Sequence, residues 1–164
     1  MIVAITTFTL IHTLISLVAI VAGLVIVGGL MAGQRLDGWT GLFLVTTILT
    51  NVTGFFIPPF LTDKFLPSHA IGILSLILLA IACLALYSQN LSGMWRWVYV
   101  VTALVSLYLN TFVLVIQSFL KIPALSAMAP GNPPSGPVFG AVQLIVLAFF
   151  AFMTFRAVKR FHPA

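Results

Sequence analysis

Apolar and polar positions in this chain of 164 residues are segregated into blocks rather than interleaved. Five long apolar runs alternate with short polar gaps, and Arg35, Asp37, Asp63, Lys64, Arg96, Lys121, Arg156, Lys159 and Arg160 all sit in the gaps or at run ends. Each run approaches or exceeds the roughly 20 residues that a helix needs to cross the hydrocarbon core of a bilayer. The pattern predicts helices over about 4–32, 37–57, 67–87, 94–121 and 137–160. Gly33-Gln34-Arg35 ends the first. Pro58-Pro59 ends the second, because proline lacks an N–H and blocks continuation. Asn90 to Gly93 makes a turn between the third and fourth. The stretch 123–137 carries five prolines and two glycines and reads as a loop. The expected fold is all-α: a polytopic five-helix membrane bundle forming one domain over 1–164.

Composition narrows the class. The chain is 62% hydrophobic and 5% charged, against roughly a quarter charged in a soluble domain. A net charge of +5 would suggest a nucleic-acid partner in a soluble protein. Here it marks the side of the membrane on which loops stay, so the expected partner is the lipid bilayer and not nucleic acid. Cys83 stands alone in an apolar run, which leaves no intramolecular disulfide or CxxC pair and reads as a small core residue. The first apolar stretch is longer than a signal-peptide h-region of about 7–15 residues, so it is expected to be a retained helix.

Charge also orients the helices. Five crossings place Arg35, Arg96, Arg156, Lys159 and Arg160 on one side and Lys64 and Lys121 on the other. The positive-inside rule then sets the N-terminus outside and the C-terminus in the cytoplasm. Trp39, Trp95 and Trp97 fall on the same side as the larger basic group, as an interfacial belt requires.

Successive helical residues turn by about 100°, so a face can be read from spacing. On the fourth helix Arg96, Tyr99, Ala103, Ser106, Asn110, Gln117 and Lys121 form one stripe. On the second, Thr40, Thr47, Asn51, Gly54 and Pro58 share a face. On the first, His12 aligns with Ser16, Ala19 and Gly23, and small residues at that spacing let helices approach closely. Polar side chains in hydrocarbon are costly unless paired, so these faces are expected to turn inward. In the orientation above, His12, Asn51, His69, Asn110 and Gln117 all lie in the outer half. The expected site is an outward-opening polar pocket with Lys121 at its mouth. Each member also has a plain structural reading: the amides as helix-to-helix hydrogen bonds, His12 bonded to a backbone carbonyl, His69 near interfacial water.

Several function classes are consistent with this layout. His12 and His69 are candidate cofactor ligands, as two imidazoles are the axial set of a b-type haem; against this, residue count puts His12 about 9 Å deeper than His69. Asn51, Asn110, Gln117 and Lys121 are candidate ligand-binding residues for a quinone or lipid. A transporter or channel is a weaker alternative. The chain contains no glutamate, whereas proton-coupled carriers keep a carboxylate in the membrane, and a pore needs polar lining in both halves. An accessory subunit of a larger membrane complex fits a small bundle with short loops. An enzyme is least supported: there is no H-E-x-x-H, no nucleophile elbow and no carboxylate to orient a histidine, and no catalytic or metal-ligating set is assigned.

The segment Leu109-Asn110-Thr111-Phe112-Val113-Leu114-Val115-Ile116-Gln117-Ser118-Phe119, followed by Lys121, Pro123, Leu125 and Ala129-Pro130, resembles a group of uncharacterised small bacterial inner-membrane proteins. The surroundings of His12 and Pro67-Ser68-His69 are similar to the same group, whereas the loop from Gly131 to Pro137 departs from it. The resemblance implies a multi-pass location in the bacterial inner membrane and attaches no activity. Similarity to the five-helix tryptophan-rich sensory proteins extends to size alone.

Overall fold

The computed structural model describes residues 2–57 and 67–162, with side chains from residue 7 in the first stretch and from residue 68 in the second. Pro58-Pro59, Asp63 and Lys64, expected to end the second helix and to carry loop charge, lie outside the described residues. Every described element is helical: α1 (Ile2–Met31), α2 (Asp37–Gly54), α3 (Pro67–Cys83), α4 (Trp95–Lys121), α5 (Pro123–Met128) and α6 (Pro137–Arg160).

The ends of these helices follow from local chemistry. α1 stops in a Schellman arrangement: Gly33 takes φ +74, its N–H donates to Leu30 O, and the N–H of Gln34 donates to Gly29 O. Only a residue without Cβ adopts that backbone cheaply. α3 runs into one wide turn over Leu84–Ser88, where the N–H of Gln89 reaches back five residues to Leu84 O. The stretch expected to be loop throughout, 123–137, begins instead with the six-residue α5. Pro123 accounts for the correction. It holds Ile122 extended (φ −94, ψ 114), which ends α4, and its own fixed φ suits the first position of a new helix.

α4 is the hub of the bundle. It packs against α1, α3 and α6; α2 fills the position between α1 and α3, and α6 lies against α1 and α4. Alternating helix directions put two kinds of residue at opposite ends. One end carries Trp39, Trp95, Trp97 and the C-termini of α1 and α6, and is called the tryptophan end. The other carries His12, His69 and the C-termini of α2 and α4, and is called the histidine end.

The core forms where small residues let helices meet. Ala19, Ala22, Ala82, Ala85, Ala103 and Ala157 are fully or almost fully enclosed, interlocking with Phe43, Leu79, Leu104 and Leu107. At Gly23 α1 comes close to α4: a Cβ there would stand 2.4 Å from Leu107 Cδ1. The outer surface is the reverse of a soluble protein's. Leu10, Leu14, Val21 and Leu24 of α1 and Leu144, Ile145, Phe149 and Phe152 of α6 are all exposed. A continuous apolar exterior of this size needs lipid or protein against it.

Four helices, within Thr7–Met31, Ser68–Ser88, Trp95–Lys121 and Pro137–Arg160, are long and apolar enough to cross a membrane. These are the features of a multi-pass membrane protein. α2, the remaining expected crossing, has 18 residues, among them five threonines, Asn51 and Asp37. Most of that polarity is internally satisfied: Thr46, Thr47, Thr50 and Thr53 each donate to the carbonyl four residues back, at 2.6–2.8 Å.

Candidate functional site

At the histidine end, polar side chains tie the helices together in pairs. His12 projects from α1 toward the last turn of α2, with Nδ1 2.8 Å from Thr53 Oγ1. The hydroxyl proton of Thr53 is used on Leu49 O at 2.6 Å. The oxygen therefore acts as acceptor, Nδ1–H of His12 is the donor, and Nε2 lies on the opposite edge of the ring. Gly54 makes room for this: a Cβ there would meet His12 Cε1 at 3.5 Å, ordinary contact, whereas a larger side chain would displace the ring.

One turn along α1, Ser16 donates to Asn110 Oδ1 of α4 at 3.1 Å. On the other side of α2, the Asn51 amide donates to Thr47 O at 2.8 Å and to Ser75 Oγ of α3 at 3.1 Å. A further amide links α6 to α4, with Gln143 Nε2 donating to Phe112 O at 3.2 Å. Asn110 and Gln143 are each 9% exposed. Asn110 Nδ2 and Gln143 Oε1 are buried without a hydrogen-bond partner among the described residues. Unpaired buried polar atoms are uncommon and each calls for a cause.

The structure thus brings His12 and Asn110 onto adjoining positions along α1, through Ser16, and joins Asn51 to the same end through α2 and α3. Gln117 and Lys121 are exposed on the last turns of α4, with the Lys121 cation near enough to act electrostatically on His12. The α4 stripe is buried at Tyr99, Ala103, Ser106 and Asn110 and is exposed at Gln117 and Lys121, while Phe119 on another face stays buried against Phe139 of α6. His69 is half-buried in the first turn of α3, its ring 5.6 Å from that of Phe55.

The two histidines expected as candidate haem ligands reach the end of α2 from different helices. His12 meets the end of α2 at Gly54 from the α1 side, and His69 meets it at Phe55 from the α3 side. Among the described residues no group of three or more His, Cys, Asp or Glu is placed to hold a metal ion.

Thr53, Ser75 and Gln143 were not singled out by sequence. Threonine and serine ordinarily bond their own helix and give no signal. Gln143 did give one, as the lone amide in an apolar helix.

The Asn51–Ser75 bond makes a quantitative expectation. Asn51→Leu should lower stability by about 0.6–2 kcal/mol, the range for interhelical hydrogen bonds in membranes. A double-mutant cycle with Ser75→Ala, followed by chemical unfolding in detergent, isolates the pair; zero coupling would remove this link between α2 and α3.

No family model, curated protein or solved structure matches the chain.

Proposed function

We propose that this is a small multi-pass protein of the bacterial inner membrane, with five crossings, the N-terminus outside, and a binding or accessory role. In this reading the histidine end lies in the outer half of the membrane and receives the polar end of a small hydrophobic molecule such as a quinone or a lipid. The observation that carries it is the Asn110 amide, enclosed, with Nδ2 lacking an acceptor, beside the Ser16 and His12 turn of α1. A carbonyl or ester oxygen on the ligand would supply that acceptor, at the value of an ordinary buried hydrogen bond. His12 and Asn51 line the approach from α2. The charge asymmetry and the tryptophans support the orientation.

The test is lipid-extract mass spectrometry on protein purified in mild detergent, for the native chain and Asn110→Leu. A stoichiometric small molecule is expected in the first and lost in the second. Leucine removes an unpaired amide, and Ser16 can turn to its own helix backbone, so Asn110→Leu is expected to fold. An empty native protein that instead co-migrates with a second polypeptide would replace the ligand reading with the accessory one. That second reading is favoured by α6, which buries few of its residues in the bundle and exposes Leu144, Ile145, Leu147, Phe149, Phe152 and Phe155 to lipid or a partner. Oxidised and reduced optical spectra after haem supplementation test the cytochrome alternative in the same preparation, and a colourless protein would eliminate it.

A further inference from the structure

The opposite end of the bundle carries a feature that the ligand reading does not use. A cleft of about 440 Å³ opens at the tryptophan end, where the α3–α4 turn faces the end of α1 and the tail after α6. Arg35, Arg96 and His162 line it from three different segments, together with Asn90, Ser92 and Gly93 of the turn. No acidic side chain lines it. We propose that this cleft binds a phosphate-ester anion, the chemistry shared by an anionic phospholipid headgroup and a free phosphate.

Each lining group has donor capacity left after its structural duties. Arg35 pairs with Asp37 through Nε, which leaves both terminal nitrogens of its guanidinium fork. Arg96 spends Nη1 on the carbonyls of Val158 and Phe161, leaving Nε and Nη2. The Nδ1 of His162 lies 3.4 Å from Arg160 O, with Nε2 on the other edge. The backbone adds to this. Asn90, Leu91 and Gly93 take left-handed conformations (φ 48, 57 and 51), and the N–H groups of Gly93 and Arg96 have no backbone acceptor among the described residues. Both free amides lie at the start of the 27-residue α4, whose dipole favours negative charge.

The surroundings focus the site. Arg156 and Lys159 of α6 lie over the rings of Phe152 and Phe155, at 5.7 and 4.3 Å, on the outer face of that helix. They raise the potential at this end without filling the cleft. Basic clefts between helix ends, level with interfacial tryptophans, are where lipid phosphates lie.

The experiment is native mass spectrometry of the full chain, in detergent, against dioctanoyl phosphatidylglycerol, dioctanoyl phosphatidylcholine and inorganic phosphate. Retention of phosphatidylglycerol at least tenfold over phosphatidylcholine is expected. Ser92→Asp puts a carboxylate in the cleft beside the start of α4, where it suits the helix dipole, so it should abolish binding while the protein stays folded by circular dichroism. Arg35→Gln should weaken binding severalfold, and Lys121→Gln, at the far end, should leave it unchanged. Binding of inorganic phosphate that displaces the lipid and is also lost in Ser92→Asp would support the site and identify a free anion as its occupant. Equal retention of the two lipids, or full binding by a folded Ser92→Asp, would overturn the proposal.

Discussion

Gly23→Val is expected to lower the unfolding midpoint of the purified protein sharply, with a cost of about 1–3 kcal/mol or more from overpacking. The reason is local and steric. Even the first added carbon would stand 2.4, 2.8 and 3.1 Å from Leu107 Cδ1, Cδ2 and Cγ. Leu107 is fully enclosed. α1 would have to back away from α4, and the Ser16–Asn110 bond two turns along would stretch with it. In lipid no hydrophobic effect drives two apolar helices together, so close packing carries the association. The check is compensation. Leu107→Ala in the Gly23→Val background should recover a large part of the loss, with a coupling of about 0.5–3 kcal/mol for residues in contact. Strictly additive effects would mean that this contact does not hold the helices.

Arg96→Ala is expected to have the second large effect. Arg96 is half-buried at the start of α4, and its Nη1 donates to Val158 O at 3.2 Å and to Phe161 O. It supplies donors to carbonyls at the end of α6, which the helix itself cannot satisfy. Hydrogen bonds from a charged donor contribute about 1.5–3 kcal/mol, and the cation also favours the C-terminal dipole of α6. Loss of the guanidinium should release the last turn of α6 and loosen Phe161, which is buried with its ring 6.4 Å from Tyr99. Hydrogen exchange of amides 157–161 should speed up by about tenfold or more, since each 1.4 kcal/mol is a factor of ten. Arg96→Lys should rescue only in part, because a single ammonium lacks the planar fork. Unchanged exchange in the alanine variant would show that α6 is anchored elsewhere.

These two positions differ in how far they could be read from sequence. Gly23 was visible as part of the Ser16, Ala19, Gly23 line at spacings of three and four, a direct consequence of helix geometry. Its partner, Leu107, was not, because every leucine in an apolar run looks alike. Arg96 was legible as a charge at a helix start, but its target lies 62 and 65 residues away, and no local rule connects them. The histidine-end residues behave similarly. His12 and Asn110 stood out because polar atoms in hydrocarbon need partners. Thr53 and Ser75, which supply partners for His12 and Asn51, were silent because hydroxyls usually satisfy themselves within their own helix. Gln117 shared the spacing of the α4 stripe, yet it is exposed, since spacing fixes a face but not which helix covers that face at a given depth.

By itself the sequence determined that the chain is helical and membrane-like, and it marked several helix ends, such as Gly33 after α1 and Pro123 after α4. Those properties depend on local physics: hydrocarbon excludes charge, glycine takes positive φ, and proline breaks a helix and begins another. Tertiary structure alone decided which helices are neighbours, with α4 at the hub and α2 between α1 and α3. It decided that the polar residues of the histidine end bond in pairs across helices, with one Asn110 donor left over. It also decided that Arg35, Arg96 and His162, far apart in the chain, face one cleft. The physical reason is that partner choice depends on the fit of small and large side chains between helices, and that fit is a property of two surfaces together rather than of either segment.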